Sequence, residues 1–240
     1  MKSTPVPVDT IETWPFLLDA PPPLFDTLVQ SLTPAEQGKI NQGIFPEIGR
    51  RSAVSRAGLR HILSSYLGVP PQEISLREGE HGKPSLAGEE ISFNLSHTGG
   101  HALVAVSDQG QLGVDLEQIR TEAPIDELAD RCFSPDEFKH WDQYSGQQRL
   151  ISFFHVWAQK EAFLKAHGGG MTIPLKDFDC RIDPCDEVGL IQSRISGDAD
   201  RTWRMVAGNM GEDLRYSIVW DGAEKSVRSR DPEEAGLNRW

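Results

Sequence analysis

No apolar run in this 240-residue chain approaches 18 residues, so no segment is long enough to cross a bilayer as a helix. The opening MKSTPVPVDTIETWPF has no apolar stretch behind its one lysine and does not read as a secretory signal. Cysteine is scarce. Cys132, Cys180 and Cys185 cannot all pair, and Cys180 and Cys185 have no partners at zinc-binding spacing, so reduced thiols and a cytoplasmic location are the expectation. Positive charge is also short: 24 Lys and Arg against 36 Asp and Glu give a net charge of -12. That argues against nucleic acid or a membrane surface as partner, and any anionic ligand then needs a local basic cluster. Lys39, Arg50, Arg51, Arg56 and Arg60 form one such cluster, although the same pattern suits a charged helix surface. Neither G-x-x-x-x-G-K-[ST] nor G-x-G-x-x-G occurs, so a P-loop or Rossmann nucleotide site has no support.

What is present suits an ordinary folded chain: 38% hydrophobic, 25% charged, with length for one large or two small domains. Residues 1–30 are proline-rich and are expected to run extended over the surface, with a strand-like piece near 14–18. Thr33-Pro34-Ala35-Glu36 carries the signature of a helix capping box, and Ser134-Pro135-Asp136-Glu137 repeats it 101 residues later. Each introduces a short helix and a long one, about 50–67 and about 148–167, closed by Gly68 and Gly168. Strands are expected at 73–78, 91–95, 102–107 and 112–117, and again at 177–182, 189–195, 202–207 and 214–220. The polar tail from 222 is expected to fray. This order predicts an α+β protein built as a pseudodimer of similar halves, 1–112 and 113–240. Each half holds a small, mainly antiparallel sheet with one short and one long helix, and a ligand cleft is expected between them. Adding 101 to Arg60 places Glu161 at the equivalent depth of the second long helix.

Three stretches hold residues suited to chemistry. In the strand GVDLE, Asp115 and Glu117 face one side and Val114 and Leu116 the other. Two adjacent carboxylates on an apolar strand suit a hard cation such as Mg²⁺, or equally a strand leaving the sheet with both acids in water. In FFHVWAQKEAFLK, residues 153–165, Trp157, Glu161 and Lys165 share one stripe at i, i+4, i+8. Charges sharing a stripe with Trp157 suggest a half-buried cleft wall. Lys160 lies off the stripe and is given no direct chemistry. In FNLSH, residues 93–97, Ser96 and His97 precede Gly99-Gly100 and could donate to a phosphate, or form a polar turn. As neighbours on a strand they point to opposite faces, so they are not a nucleophile and its base.

Together and in this order, Arg51, HGKP (81–84), FNLSH, GVDLE, RCFSPDE (131–137) and WAQKEAFLK (157–165) resemble the Sfp-type 4′-phosphopantetheinyl transferases. The specific part is G-V-D-x-E followed about 40 residues later by W-x-x-K-E-A-x-x-K, and the likeness covers roughly 31–180. The resemblance implies Mg²⁺-dependent transfer of phosphopantetheine from coenzyme A to a serine of an apo acyl or peptidyl carrier protein, releasing adenosine 3′,5′-bisphosphate. Such an enzyme serves fatty acid, polyketide or nonribosomal peptide synthesis and is expected to be a monomer. Carried over residue by residue, Asp115, Glu117 and Glu161 match the metal ligands, with Mn²⁺ as a substitute ion, and Lys165 matches the lysine at the pyrophosphate. Ser96 and His97 match residues at the phosphates, His97 near the 3′-phosphate. Arg51, with Lys39 as accessory, matches the 3′-phosphate site, and Lys83 and Pro84 match the loop flanking adenine. Glu137 also falls on a family glutamate, but its capping box explains it.

Attack on a phosphoryl group calls for positioning and charge stabilisation, and the carrier serine needs a general base. Glu161 is the first choice for that base and His97 the second. Carrier contacts are expected from segment 118–140, including Ile119, Leu128, Cys132 and Phe133. The competing readings are a non-catalytic protein that binds carriers or nucleotides and a Mg²⁺-dependent nuclease. The intact set of three acids and Lys165 argues against the first, and the acidic balance against the second.

Overall fold

Both capping boxes form. In a computed structural model of the chain, which describes residues 4–40, 45–79, 82–88, 91–185, 188–190 and 192–239, Thr33 and Ser134 each accept from the backbone N–H of the glutamate three residues on. Glu36 and Glu137 return the bond to the cap residue. Helix α2 (Pro34–Lys39) follows the first box and α5 (Pro135–Trp141) the second. Each leads to a helix of 22 residues, α3 (Pro46–Leu67) and α6 (Gly146–His167). Both long helices stop at a glycine in the left-handed region, Gly68 at φ 69° and Gly168 at φ 84°, where a side chain would be strained.

The chain is α+β and gathers into two compact units. Unit 1 comprises Met1–Gly79, Pro84–Gln109 and Lys225–Trp240. Its elements are β1 (Thr10–Leu17), α1 (Pro22–Val29), α2, α3, β2 (Leu76–Glu78), β3 (Pro84–Leu86), β4 (Ser92–Thr98), β5 (His101–Ser107) and β12 (Ser226–Ser229). Its main sheet has the order β12-β1-β5-β4. Unit 2 comprises Glu80–Lys83 and Gly110–Glu224. It holds β6 (Leu112–Gln118), α4 (Ile125–Cys132), α5, α6, β7 (Phe178–Asp179), β8 (Val188–Leu190), β9 (Gln192–Ser193), β10 (Trp203–Met210) and β11 (Leu214–Asp221), with the order β6-β11-β10-β8 in its main sheet. In both sheets the strand before the helices pairs antiparallel with the last strand of the repeat, which pairs antiparallel with the one before it. Among the described residues only β12 on β1 is parallel.

Three sequence expectations change here. The strand-like piece expected near 14–18 forms as β1, but it lies inside its sheet and not over the surface, with Trp14 and Phe16 buried. Pro15 is tolerated because β12 covers only Thr10–Thr13. Leu17 turns its N–H away from β5 to the Asn238 carbonyl, and by alternation Pro15 points its nitrogen the same way, off the ladder. The prolines at 21–23 open helix α1 instead of extending the chain. The polar tail is ordered, because β12 completes the unit 1 sheet and Ala235 and Leu237 enter its core. Residues 225–240, assigned to the second half from sequence, thus pack in unit 1. His81 of HGKP and Ile191 of the strand expected at 189–195 lie outside the described residues.

The repeat also reveals its register. The long helices begin at Pro46 and Gly146 and end at Gly68 and Gly168, an offset of 100, whereas the capping boxes are offset by 101. One residue is lost in the intervening loop. Arg60 therefore corresponds to Lys160 and not to Glu161. The contacts agree: Arg60 Nε donates to Glu36 at 3.0 Å and Lys160 Nζ lies 2.8 Å from Glu137. Each half thus clamps its long helix to the glutamate of its own capping box.

The first clamp has a pH signature. Burial alone would raise the Glu36 carboxyl, but hydrogen bonds from Arg60, Thr33 and Arg56 outweigh it and hold the group at about 2, against an ordinary 4.5. The folded value is the lower one, so the stabilisation is complete above the unfolded value and is lost as pH falls toward the folded one. The stability advantage of wild type over Glu36→Gln is expected to shrink steadily below about pH 5, as read by urea melts at several pH values. A constant advantage from neutral pH to about pH 3 would contradict the clamp.

Candidate active site

Within unit 2, β6 lies against α6 so closely that a Cβ at Gly113 would stand 2.1 Å from the Ala162 carbonyl oxygen. Alternation then aims Asp115 and Glu117 at the same helix. Because both nearest atoms, Ala162 O and Ala166 N, are main chain, nothing can give way locally. Gly113→Ala is expected to cost about 1–3 kcal/mol and to reduce turnover by shifting α6; a melting temperature and rate equal to wild type would contradict this.

The α6 stripe meets those acids in turn. Lys165 Nζ donates to Asp115 Oδ1 at 2.6 Å, and Trp157 Nε1 donates to Glu117 Oε1 at 3.0 Å. Arg120 approaches Glu117 Oε2 at 3.7 Å. Glu161, half-buried, stands on the stripe one turn from each of Trp157 and Lys165. Burial, with the charge of Asp115 added, pushes the Glu117 carboxyl up to about 7 and raises Glu161 as well. Three carboxylates thus share a low-dielectric strip with one ammonium, a place where further positive charge is stabilised. Among the described residues no three His, Cys, Asp or Glu side chains are gathered tightly enough to close around a metal ion. In donor chemistry the set fits a hard divalent cation, all its ligand atoms being carboxylate oxygens.

Lys83 also belongs to unit 2. Its Nζ donates to the carbonyls of Leu112, at 2.9 Å, and Lys165, at 2.7 Å. Burial, then the nearby Lys165 charge, lowers it to about 8. Sequence gave Lys83 only to the adenine loop; its observed contacts tie the start of β6 to the end of α6. Pro84 opens β3 opposite Glu78.

In unit 1, Ser96 is buried and His97 exposed, which separates the two as strand alternation requires. His97 and Lys39 share a cavity of about 230 Å³ with Ser52, Ser55, Arg56 and Glu78. Arg51 is not among the residues lining that cavity and pairs with Asp19 instead.

Two residues that sequence demoted carry structural weight. Lys160 is fully buried: its Nζ meets Glu137 and donates to the carbonyls of Leu175, at 2.7 Å, and Phe178, at 3.0 Å. Glu137 accepts from the Cys180 N–H with its other oxygen. The signal was the apolar stripe of Phe153, Val156, Phe163 and Leu164, at i−7, i−4, i+3 and i+4, on which Lys160 stands. Cys132 and Phe133, expected among carrier contacts, are core residues packed with Trp141 and Phe153. Ile119 instead lines a cavity of about 730 Å³ with Ile125, Leu150 and Ile151, rimmed by Glu212 and Asp213.

Comparison with known proteins decides the family. Residues 111–219 match the family model of the 4′-phosphopantetheinyl transferase superfamily, and residues 20–109 match that of a 4′-phosphopantetheinyl transferase N-terminal region. The chain is 35% identical over 186 residues to the 4′-phosphopantetheinyl transferase HetI of Nostoc sp., covering 76% of this chain and 78% of that one. This chain belongs to the 4′-phosphopantetheinyl transferase superfamily. The 4′-phosphopantetheinyl transferase Sfp of Bacillus subtilis is 27% identical over 161 residues, 66% of this chain and 70% of its own length. The human L-aminoadipate-semialdehyde dehydrogenase-phosphopantetheinyl transferase is 26% identical over 203 residues, 77% of this chain and 65% of its own. The Asp115–Lys165 and Glu117–Trp157 contacts both fall within the stretch matched to the superfamily. Among the described residues of this phosphopantetheinyl transferase, no helix is long and apolar enough to cross a membrane.

Proposed function

We propose that this chain transfers the 4′-phosphopantetheine group of coenzyme A to a serine hydroxyl of an apo acyl or peptidyl carrier protein, releasing adenosine 3′,5′-bisphosphate. The observation that carries the reading is the strip of Asp115, Glu117 and Glu161 along which Lys165 is already paired. Asp115, Glu117 and Glu161 would hold Mg²⁺, or Mn²⁺ in its place. When bound, that ion neutralises the pyrophosphate and stabilises charge developing on it. Lys165 adds its ammonium at the pyrophosphate, positioned by Asp115. Trp157 fixes the Glu117 carboxylate through its indole N–H. Glu161 takes the proton from the carrier serine, with His97 as the alternative base.

Ser96 and His97 are assigned to the phosphates, and Arg51 and Lys39 to the 3′-phosphate. Lys83 and Pro84 are assigned to the adenine side. The carrier meets apolar surface around Ile119 and Ile125, in keeping with a chain of net charge -12 that offers an acidic partner little general attraction. The enzyme acts as a cytoplasmic monomer, on carriers of fatty acid, polyketide or peptide synthesis.

Product release tests the reaction. With apo carrier, coenzyme A and Mg²⁺, one adenosine 3′,5′-bisphosphate is expected per carrier consumed, stopping with chelator and resuming with added Mg²⁺. Metal-independent release would overturn the role of the three acids; no release with any carrier class would overturn the transfer itself.

A further inference from the structure

The guanidinium of Arg51 is already engaged. Nε donates to Asp19 Oδ1 at 2.7 Å and Nη2 donates to Asp19 Oδ2 at 2.8 Å. A guanidinium offers two forks for bidentate recognition, the side fork of Nε with Nη2 and the end fork of Nη1 with Nη2. Asp19 takes the side fork. Two-point contact fixes the plane of the group and leaves the end fork directed away from the carboxylate. Arg51 keeps 37% of its side-chain surface exposed, so a ligand in solution can reach it.

The backbone beside Asp19 is held in place. It follows β1, where the Leu18 N–H donates to the Gly100 carbonyl at 2.8 Å and ties the strand to the β4–β5 turn. A Cβ at Gly100 would stand 2.8 Å from Asp19 Oδ2 and 3.7 Å from Arg51 Nη2. A methyl at Gly100 would therefore push the carboxylate from its observed position. Backbone conformation does not demand that glycine: Gly99 takes the left-handed position of the turn, at φ 54°, and Gly100 does not. Arg51's hydrogen bonds, ahead of its charge and that of His101, hold the Asp19 carboxyl below its usual range.

An ion pair this open to water adds little stability. Its two-point geometry and the room made for it at Gly100 call for another reason. We propose that Asp19 is a positioning residue for Arg51, presenting the end fork of the guanidinium to the 3′-phosphate of coenzyme A and so setting the preference for coenzyme A over dephospho-coenzyme A. This rests on the reading that Arg51 meets the 3′-phosphate.

Steady-state kinetics with the two substrates separate the possibilities. Wild type is expected to show the lower KM with coenzyme A, and Arg51→Ala to erase the difference. Asp19→Ala should raise KM for coenzyme A about threefold to tenfold, leaving kcat and the dephospho-coenzyme A values unchanged. Added to Arg51→Ala, it should change nothing further. Gly100→Ala provides a second route, because its methyl displaces the carboxylate without removing it, and should reproduce Asp19→Ala. A lower KM for coenzyme A in Asp19→Ala would mean the carboxylate competes with the phosphate, and would overturn the proposal. Equal changes with both substrates would also overturn it, as a general structural effect. A wild type that does not distinguish the substrates would instead remove Arg51 from the 3′-phosphate, and no transfer from either would remove the transferase reading.

Discussion

Asp115→Ala is expected to lower turnover by about 10²–10³-fold or more, with little change in melting temperature. Asp115 is 4% exposed and holds Lys165 at 2.6 Å. Its loss removes one of the carboxylates proposed to hold the metal and the anchor of the lysine assigned to the pyrophosphate. The fold should survive, because Lys165 is 30% exposed and can be rehydrated. Asp115→Asn, with the same shape but no charge, separates ligand charge from packing and should be nearly as inactive. Glu161→Ala is expected to behave likewise. Rates within a few-fold of wild type in Asp115→Ala or Glu161→Ala, measured at saturating coenzyme A, would show that the charge on this strip is not what drives transfer.

The second large effect is on stability. Lys160→Met is expected to destabilise the fold by about 3–5 kcal/mol, read from the urea midpoint. Glu137 is 3% exposed, and burial raises its carboxyl while Lys160 opposes that shift. Removing the ammonium leaves a buried carboxylate without its cation, and the Leu175 and Phe178 carbonyls without their donor. Adding Glu137→Gln should recover a large part of the loss, since the remaining pair is uncharged and of similar volume. A single variant as stable as wild type would show that the clamp is dispensable.

The sequence made the helical half of each repeat legible because its signals are local. A capping box, a period of 3.6 and a terminal glycine each act within a few residues, and α2, α3, α5 and α6 form where those signals stand. GVDLE and the Trp157–Glu161–Lys165 stripe were legible for the same reason, since strand alternation and helix periodicity fix which side chains share a face. That one stripe faces the other depends on Gly113, whose significance appears only once Ala162 lies against it. What stayed hidden depends on partners distant in sequence. The strand near 14–18 was expected, but its place inside the sheet rests on pairing with β5 and β12, and Pro15 argues locally for an edge. The one-residue difference between the offsets of boxes and helices turned Arg60's counterpart from Lys160 into Glu161. That exchanged a structural cation for the acid proposed as the base. Asp19 carried no motif, and only the return of β1 to the Gly99-Gly100 turn brings it to Arg51.

The most direct test of the central claim is the intact mass of an apo carrier protein after incubation with this enzyme, coenzyme A and Mg²⁺. A gain of one phosphopantetheine on the carrier serine is expected, absent when Asp115→Ala replaces the wild-type enzyme. A carrier of unchanged mass, across fatty acid, polyketide and peptide types, would contradict it.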